Sequence, residues 1–118
     1  MKYLLMIYAD EKIESAMSKD ELGALFGEYF KFTDEIKAAG VYIAGEPLEP
    51  TTAATTVRTR DGQILSTDGP FAETKEQLGG YYLVDAPNLD EAIKWAAKIP
   101  SSRYGSIEVR PVMAVGPA

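Results

Sequence analysis

Acid–base chemistry in this 118-residue chain would depend on carboxylates, because the chain contains no histidine and no cysteine. The missing histidine removes the usual general base at neutral pH and the commonest metal ligand. The missing cysteine excludes disulfides, thiolate metal sites and a thiol nucleophile. We single out Asp68 and Glu46 as candidate catalytic residues, since a carboxylate in an apolar pocket can act as a general acid or base.

Both carboxylates also have a purely structural interpretation. Asp68 precedes Gly69 and Pro70, and an aspartate in such a position commonly bonds the backbone N–H two residues on and forms a turn. From the residues alone, the turn is the favoured interpretation of Asp68. Glu46 follows Gly45 at the end of a predicted strand, where a pocket mouth and an ordinary surface are equally expected.

Five other side chains are candidate ligand-binding residues, namely Tyr29, Glu73, Lys75, Tyr82 and Arg110. The two tyrosines can donate a phenolic proton or stack on an aromatic ligand, although tyrosines in apolar stripes and strands are more often core residues. Glu73 and Lys75 either face a ligand or form a solvated turn with a weak ion pair. Arg110 either binds a carboxylate bidentately or, as we favour, forms an ion pair across a dimer interface.

The net charge is −6, from 12 basic and 18 acidic side chains, which argues against a nucleic-acid-binding surface. The apolar run at residues 2–9 is too short for a signal peptide. No run approaches the ~20 apolar residues that span a bilayer. We therefore predict a cytoplasmic protein with no nucleic-acid or membrane partner. Phosphate-loop, EF-hand and HExxH strings are absent, so we predict no cofactor and no metal site.

Apolar periodicity and turn signals predict alternating strands and helices. Ser18 and Glu21 have the spacing of a capping box, and Gly40 fits a C-terminal cap, so they bound the first predicted helix. Asp61-Gly62 is a strong hairpin signal. The predicted elements are a strand at 2–9, a loop at 10–17, a helix at 18–40, a strand at 41–44, a hairpin at 53–60 and 63–67, a helical turn at 73–78, a strand at 81–85, a helix from Asn88 that stops at Pro100, and an edge strand at 107–115.

This order predicts one α+β domain over residues 1–118, with a ferredoxin-like βαββαβ topology and a β-hairpin insertion. Such a fold places both helices on one face of an antiparallel sheet. The strand at 2–9 is apolar on both faces, so the second face of the sheet needs another cover. A second copy of the chain is the simplest cover, and we predict a homodimer whose sheets pack face to face.

Residues 68–76 read D-G-P-F-A-E-T-K-E, which resembles the signature of the YCII-related family, DGPF subgroup. Similar strings are M-K-Y at 1–3, A-G-V at 39–41, G-E-P-L at 45–48 and I-E-V-R-P-V at 107–112, so the resemblance covers nearly the whole chain. It implies a dimeric α+β barrel. It also implies a pocket lined from the first predicted helix and from the D-G-P-F segment.

The resemblance also bears on chemistry. Some wider-family members act on chlorinated hydroxyquinols and use a His and an Asp as acid and base. The positions at which relatives carry His correspond to Tyr29 and Tyr104 here, so a His–Asp mechanism cannot operate in this chain. DGPF proteins also resemble modules found beside or fused to extracytoplasmic-function sigma factors, which implies a regulatory role.

Three functions remain open from the sequence, and whether the chain is an enzyme is one of the open points. The function that we favour is a dimeric small-molecule-binding or regulatory protein with a pocket near Asp68, Glu46 and Arg110. The second is an isomerase or lyase that acts on a small acid, for example an aromatic one, with Asp68 or Glu46 as base. The third is an accessory protein that associates with a sigma factor.

Overall fold

A four-stranded antiparallel sheet with helices on one face forms the body of the protein, in a computed structural model that describes residues 1–116. The strands of this sheet are β1 Lys2–Ala9, β2 Tyr42–Pro47, β5 Gln77–Asp85 and β6 Ser106–Pro111. A separate two-stranded sheet consists of β3 Thr55–Arg60 and β4 Gln63–Asp68. The helices are α1 Glu11–Ser15, α2 Lys19–Ala38 and α3 Leu89–Lys98, and 3-10 turns span Thr51–Ala53 and Pro100–Arg103. These elements confirm the α+β class.

The larger sheet has the strand order β2-β5-β1-β6. Strand β1 is therefore central, and its two faces differ in burial. Tyr3, Leu5 and Ile7 are at most 8% exposed and pack in one core cluster with Phe32 and Ile36 of α2. The alternate residues Leu4, Met6 and Tyr8 lie on the opposite face and are partly exposed.

The first long helix begins and ends as the sequence predicts. The Ser18 hydroxyl accepts a hydrogen bond from the Glu21 N–H at 3.1 Å, and the Glu21 carboxylate accepts one from the Ser18 N–H at 2.9 Å. Hydrogen bonds from the Ser18 backbone and hydroxyl hold the pKa of Glu21 below its usual range. Gly40 follows the helix with φ +73°, a left-handed conformation that favours glycine.

The prediction of a loop at residues 10–17 is wrong, because a short helix, α1, occupies most of this segment. The Asp10 side chain caps this helix by accepting a hydrogen bond from the Lys12 N–H at 3.0 Å. Glu11 and Glu14 lie in its first turn, where negative charge suits the positive end of the helix dipole. The five residues of α1 are too few to show a 3.6-residue apolar period.

The predicted hairpin is confirmed as β3 and β4, with Asp61 at φ 50° and Gly62 at φ 75° in its turn. Nearly all of its side chains are exposed, and it is not part of the main sheet. The radius of gyration is 16.4 Å, against roughly 13–14 Å for a compact chain of this length. An extended hairpin is consistent with that difference.

The helical turn predicted at 73–78 is wrong, because this stretch leads directly into β5. The Thr74 hydroxyl donates to the Glu76 carbonyl and the Gln77 amide donates to the Thr74 carbonyl, both at 2.6 Å. Such local side-chain bonds occupy backbone groups that a helix would use.

The last strand is shorter than predicted, since it ends at Pro111 and not at Val115. Proline has no N–H to donate to a neighbouring strand. Strand β6 lies at the edge of the sheet, as the position of Pro111 indicates. None of the helices within residues 1–116 combines the length and the apolar character needed to cross a membrane.

Candidate functional site

A cleft of about 450 Å³ opens between α2 and the sheet, and its walls are mainly apolar. Helix α2 contributes Leu22, Phe26 and Phe30, and strand β1 contributes Ile7. Phe26 and Phe30 are 56% and 72% exposed, although they lie one helical turn apart on the side of α2 that lines the cleft. The helix therefore presents two aromatic rings to an open space and not to the core.

The other wall is formed by β2 and β5, where two glycines allow the strands to approach closely. A Cβ at Gly80 would lie 3.0 Å from the Glu46 carbonyl oxygen, and a Cβ at Gly45 would lie 2.8 Å from a ring carbon of Tyr82. Larger residues at these positions would collide with the wall of the cleft. Close packing at the cleft thus explains why Gly45 and Gly80 are glycines.

A chain of hydroxyl groups ends the cleft on the side of the Pro100–Arg103 turn. The Tyr29 and Ser101 hydroxyl oxygens are 2.5 Å apart, and the Ser101 and Tyr104 hydroxyl oxygens are 3.2 Å apart. The Tyr104 hydroxyl then donates to the Glu14 carboxylate at 3.3 Å. Ser101 is 2% exposed, so the middle of this chain is inaccessible to bulk water.

The tyrosines of this chain keep their protons at neutral pH. Burial raises the pKa of Tyr29 to about 12, and its hydrogen bond with Ser101 offsets this only in part. Burial also raises the pKa of Tyr104, and the nearby negative charge of Glu14 acts in the same direction. Neither phenol can therefore serve as a general base near pH 7.

Tyr82 lies in the core and also lines the cleft. Its hydroxyl oxygen is 2.8 Å from the Thr33 hydroxyl oxygen, and its ring meets Phe32 edge-on with a centroid distance of 5.1 Å. Burial raises the pKa of Tyr82, while the hydrogen bond with Thr33 lowers it to a smaller extent. The ring is 8% exposed, so the core placement expected for this tyrosine is correct.

Among residues 1–116, the charged residues that border the cleft are Glu11, Glu14 and Glu46, and no lysine or arginine lines it. The Glu11 carboxylate is held by Thr51, which donates from its N–H at 2.8 Å and from its hydroxyl at 2.9 Å. Glu46 is exposed and lies opposite Tyr81, which lies opposite Met6. Its side chain is therefore on the sheet face away from the helices, and its backbone borders the cleft. The walls of the cleft are therefore mainly apolar, and the charged side chains on its helix side are the carboxylates of Glu11 and Glu14.

Three of the seven predicted site residues border the cleft, namely Tyr29, Tyr82 and, through its backbone, Glu46. Arg110 is exposed on β6, opposite Leu4, on the sheet face away from the helices. Lys75 is exposed and lines neither the cleft nor the depression beside the hairpin. The binding roles proposed for these residues stay predictions.

Asp68 and Glu73 lie near the hairpin and not at the cleft. Asp68 is exposed at the end of β4. The turn after it is held by Thr56, whose hydroxyl donates to the Gly69 carbonyl at 2.8 Å, and by a bond from the Gly69 N–H to the Ala54 carbonyl at 2.7 Å. Glu73 lines a second depression of about 420 Å³ beside Gly69 and the Thr51–Ala53 turn. The expected pocket thus has its α2 wall, but residues 68–76 do not line it.

Ser101 and Glu14, which complete the hydroxyl chain, were not predicted from the sequence. Ser101 is 72 residues from Tyr29, and Glu14 is 90 residues from Tyr104. No local pattern reports contacts of that separation. The family resemblance pointed to Tyr29 and Tyr104, and both of their hydroxyls meet at Ser101. Within residues 1–116 no three acidic side chains are grouped closely enough to hold a metal ion.

Comparison with known proteins gives a family and no activity. The model of the YCII-related domain matches residues 1–115. An uncharacterized protein of Rhizobium meliloti (strain 1021) is 40% identical over 119 residues, which cover 99% of this chain and 96% of that protein. The chain therefore belongs to the YCII-related family.

Proposed function

We propose that the chain is a small-molecule-binding protein and that its ligand occupies the cleft between α2 and the sheet. The observation that carries the proposal is a cleft of about 450 Å³ whose apolar walls end on a buried chain of hydroxyl groups. Ligand sites in proteins commonly have volumes of about 300–1,000 Å³, apolar walls and a few placed polar groups. The cleft has all three properties.

The aromatic rings of Phe26 and Phe30 support this function. Both side chains are more than half exposed, and they lie side by side at a concave surface. Contiguous exposed apolar patches of this kind mark interaction sites or ligand-binding grooves. A ligand with an apolar body would cover both rings. As part of the same proposal, the resemblance of residues 68–76 supports membership of the DGPF subgroup. Those residues do not line the cleft.

Binding is better supported than the isomerase or lyase chemistry considered from the sequence. That chemistry needs a base and a cation around one small acid. The side chains of Glu46 and Arg110 lie on the sheet face away from the helices. Asp68 lies on the hairpin. An acid in the cleft would face carboxylates and no cation, which makes its binding unfavourable.

The experiment compares two phenylalanines of similar exposure. Phe30, which lines the cleft, is 72% exposed and Phe71, in the D-G-P-F segment, is 76% exposed. With 2-phenylethanol as probe, Phe30→Ala should weaken binding about 10-fold, as expected for half a buried aromatic side chain. Phe71→Ala and Asp68→Asn should leave the Kd unchanged. Equal Kd values for Phe30→Ala and the wild type would refute the cleft as the site.

We propose in addition that the protein acts as a homodimer with ferredoxin-like subunits, whose open sheet faces pack together as a dimeric α+β barrel. The alternation of β1 puts Leu4, Met6 and Tyr8 on that face, all partly exposed. Glu108 and Arg110 of the edge strand are opposite Met6 and Leu4, so they flank the same apolar patch. In a two-fold symmetric dimer, Glu108 of one copy can pair with Arg110 of the other, and the symmetry repeats the pair.

Sedimentation of two methionine variants tests the dimer. Met6→Lys places a charge in the proposed interface and should yield monomer at micromolar concentration, because an unpaired buried charge is costly. Met113→Lys is the control, since Met113 is 78% exposed. A monomeric wild type would overturn this part of the proposal. An accessory role with a sigma factor would instead require retention of a sigma factor on this face, with no binding of 2-phenylethanol in the cleft.

A further inference from the structure

The hydrogen bonds at the polar end of the cleft have only one consistent direction. Glu14 as a carboxylate has acceptor oxygens only, so Tyr104 uses its single proton toward Glu14. Ser101 must then donate to the Tyr104 oxygen, which has no second proton to offer. Tyr29 must in turn donate to the Ser101 oxygen. The reverse order would aim a phenol lone pair at a carboxylate, and bonds to charged acceptors are the stronger ones.

This direction leaves Tyr29 with lone pairs and no proton for a ligand. Every hydroxyl proton of the chain is used inside it, and the raised pKa values of Tyr29 and Tyr104 mean that the protons stay in place at neutral pH. At this end the cleft therefore accepts hydrogen bonds and does not donate them. A polar group that reaches Tyr29 has to bring its own proton.

The other polar groups that line the cleft include carboxylates, hydroxyls and the Gln77 amide. The lining carboxylates are acceptors, and no lysine or arginine of residues 1–116 lines the cleft. The Thr33 and Tyr82 hydroxyls share a bond that uses one of their two protons, so the pair retains one proton for a neutral acceptor. This hydroxyl, the Tyr42 hydroxyl and the Gln77 amide are neutral donors. Neutral donors do not replace the cation that a desolvated anion needs.

We propose that the cleft selects molecules with an apolar, phenyl-sized body and a hydroxyl or ammonium head that donates a hydrogen bond to the Tyr29 oxygen, and that it rejects carboxylic acids. This inference rests on the proposed function, since it names the ligand class for the same cleft. Tyr104 is a positioning residue in this account, because it sets the direction of the hydrogen-bond chain without reaching the ligand.

Four probes with one phenyl body test the inference. They are 2-phenylethanol and phenethylamine, which donate, (2-methoxyethyl)benzene, which only accepts, and 3-phenylpropanoate, which is an anion. Titrations followed by the amide resonances of Tyr29, Thr33 and Gly80 give the Kd values. The donors should bind about 10-fold more tightly than the ether and the acid, since one hydrogen bond distinguishes the alcohol from the ether. The ratio of the two donors tells a hydroxyl from an ammonium ligand.

The failures are distinguishable. If 3-phenylpropanoate or the ether binds in the cleft as tightly as 2-phenylethanol, the ligand class is wrong and the cleft remains the site. If none of the four probes shifts the cleft amides, the proposed function fails together with the inference that rests on it.

A tyrosine variant tests the direction of the chain itself. Tyr104→Phe removes the link to Glu14, so Ser101 and Tyr29 are free to reverse and Tyr29 can donate to a ligand. The preference for 2-phenylethanol over the ether should then fall toward one, with the fold retained by circular dichroism. Tyr3→Phe, which removes a hydroxyl bonded to the Met1 sulfur, should keep the preference. An unchanged preference in Tyr104→Phe would overturn the assigned direction.

Discussion

The cleft and the hairpin region, residues 55–76, differ in how clearly their sequences indicate a family and in where their side chains lie. The hairpin region carries the most recognisable string of the sequence, yet nearly all of its side chains are exposed and none of them lines the cleft. The cleft takes one short string of the resemblance, G-E-P-L at 45–48, and its hydroxyl chain joins distant parts of the sequence that no motif connects. The string that identifies the family most clearly thus lies away from the proposed ligand site.

The largest expected difference between the regions is in stability, and two valines measure it. Val84 in β5 is fully buried and Val57 in β3 is 61% exposed. Val84→Ala should lower the free energy of unfolding by about 2–3 kcal/mol, because it removes two methyl groups from the core and leaves a cavity. Val57→Ala should change it by less than about 0.5 kcal/mol. Urea denaturation gives both values, and similar losses would mean that the hairpin packs as tightly as the core.

A serine pair should show a smaller difference. Ser101→Ala leaves the Tyr29 and Tyr104 hydroxyls without their shared partner and should cost about 1–3 kcal/mol. Ser66→Ala in the exposed β4 should cost less than about 0.5 kcal/mol. The same urea experiment decides, and a loss for Ser101→Ala as small as that for Ser66→Ala would show that the hydroxyl chain contributes nothing to folding.

The fold was largely predictable from local signals, whereas the cleft was only partly so. The capping box of Ser18 and the Asp61-Gly62 turn act over a few residues, so the sequence alone located α2 and the hairpin. Helix α1 escaped prediction because its cap, Asp10, starts too short a helix for periodicity to reveal. The cleft depends on which distant side chains meet Tyr29, and this is decided by the packing of the whole sheet.

The smallest expected effect is on the alkaline titration of the tyrosines. Of the seven tyrosines, Tyr29 should ionise with a midpoint near 12, against an ordinary value of 10.0. The hairpin has no tyrosine, so the absorbance at 295 nm reports on the body alone. Loss of the late-titrating component in Tyr29→Phe would assign it, and a wild type with no component above pH 11 would contradict the burial of this phenol.

The same shift has a consequence for stability. The pKa of Tyr29 is higher in the folded than in the unfolded chain, so its protonated form favours folding. This contribution is complete below about pH 10 and is lost as the pH rises through about 12. Unfolding midpoints between pH 9 and pH 12 should therefore fall less steeply in Tyr29→Phe than in the wild type.

The measurement that tests the central claim most directly is a map of amide shifts on titration with 2-phenylethanol. We expect the changes to cluster at Thr33, Gly45, Gly80 and Ser101 around the cleft, and the amides of Arg58, Gln63 and Asp68 in the hairpin region to stay in place. Shifts that concentrate in residues 55–76 and leave α2 and Ser101 unchanged would contradict the account and place the site at the recognisable string.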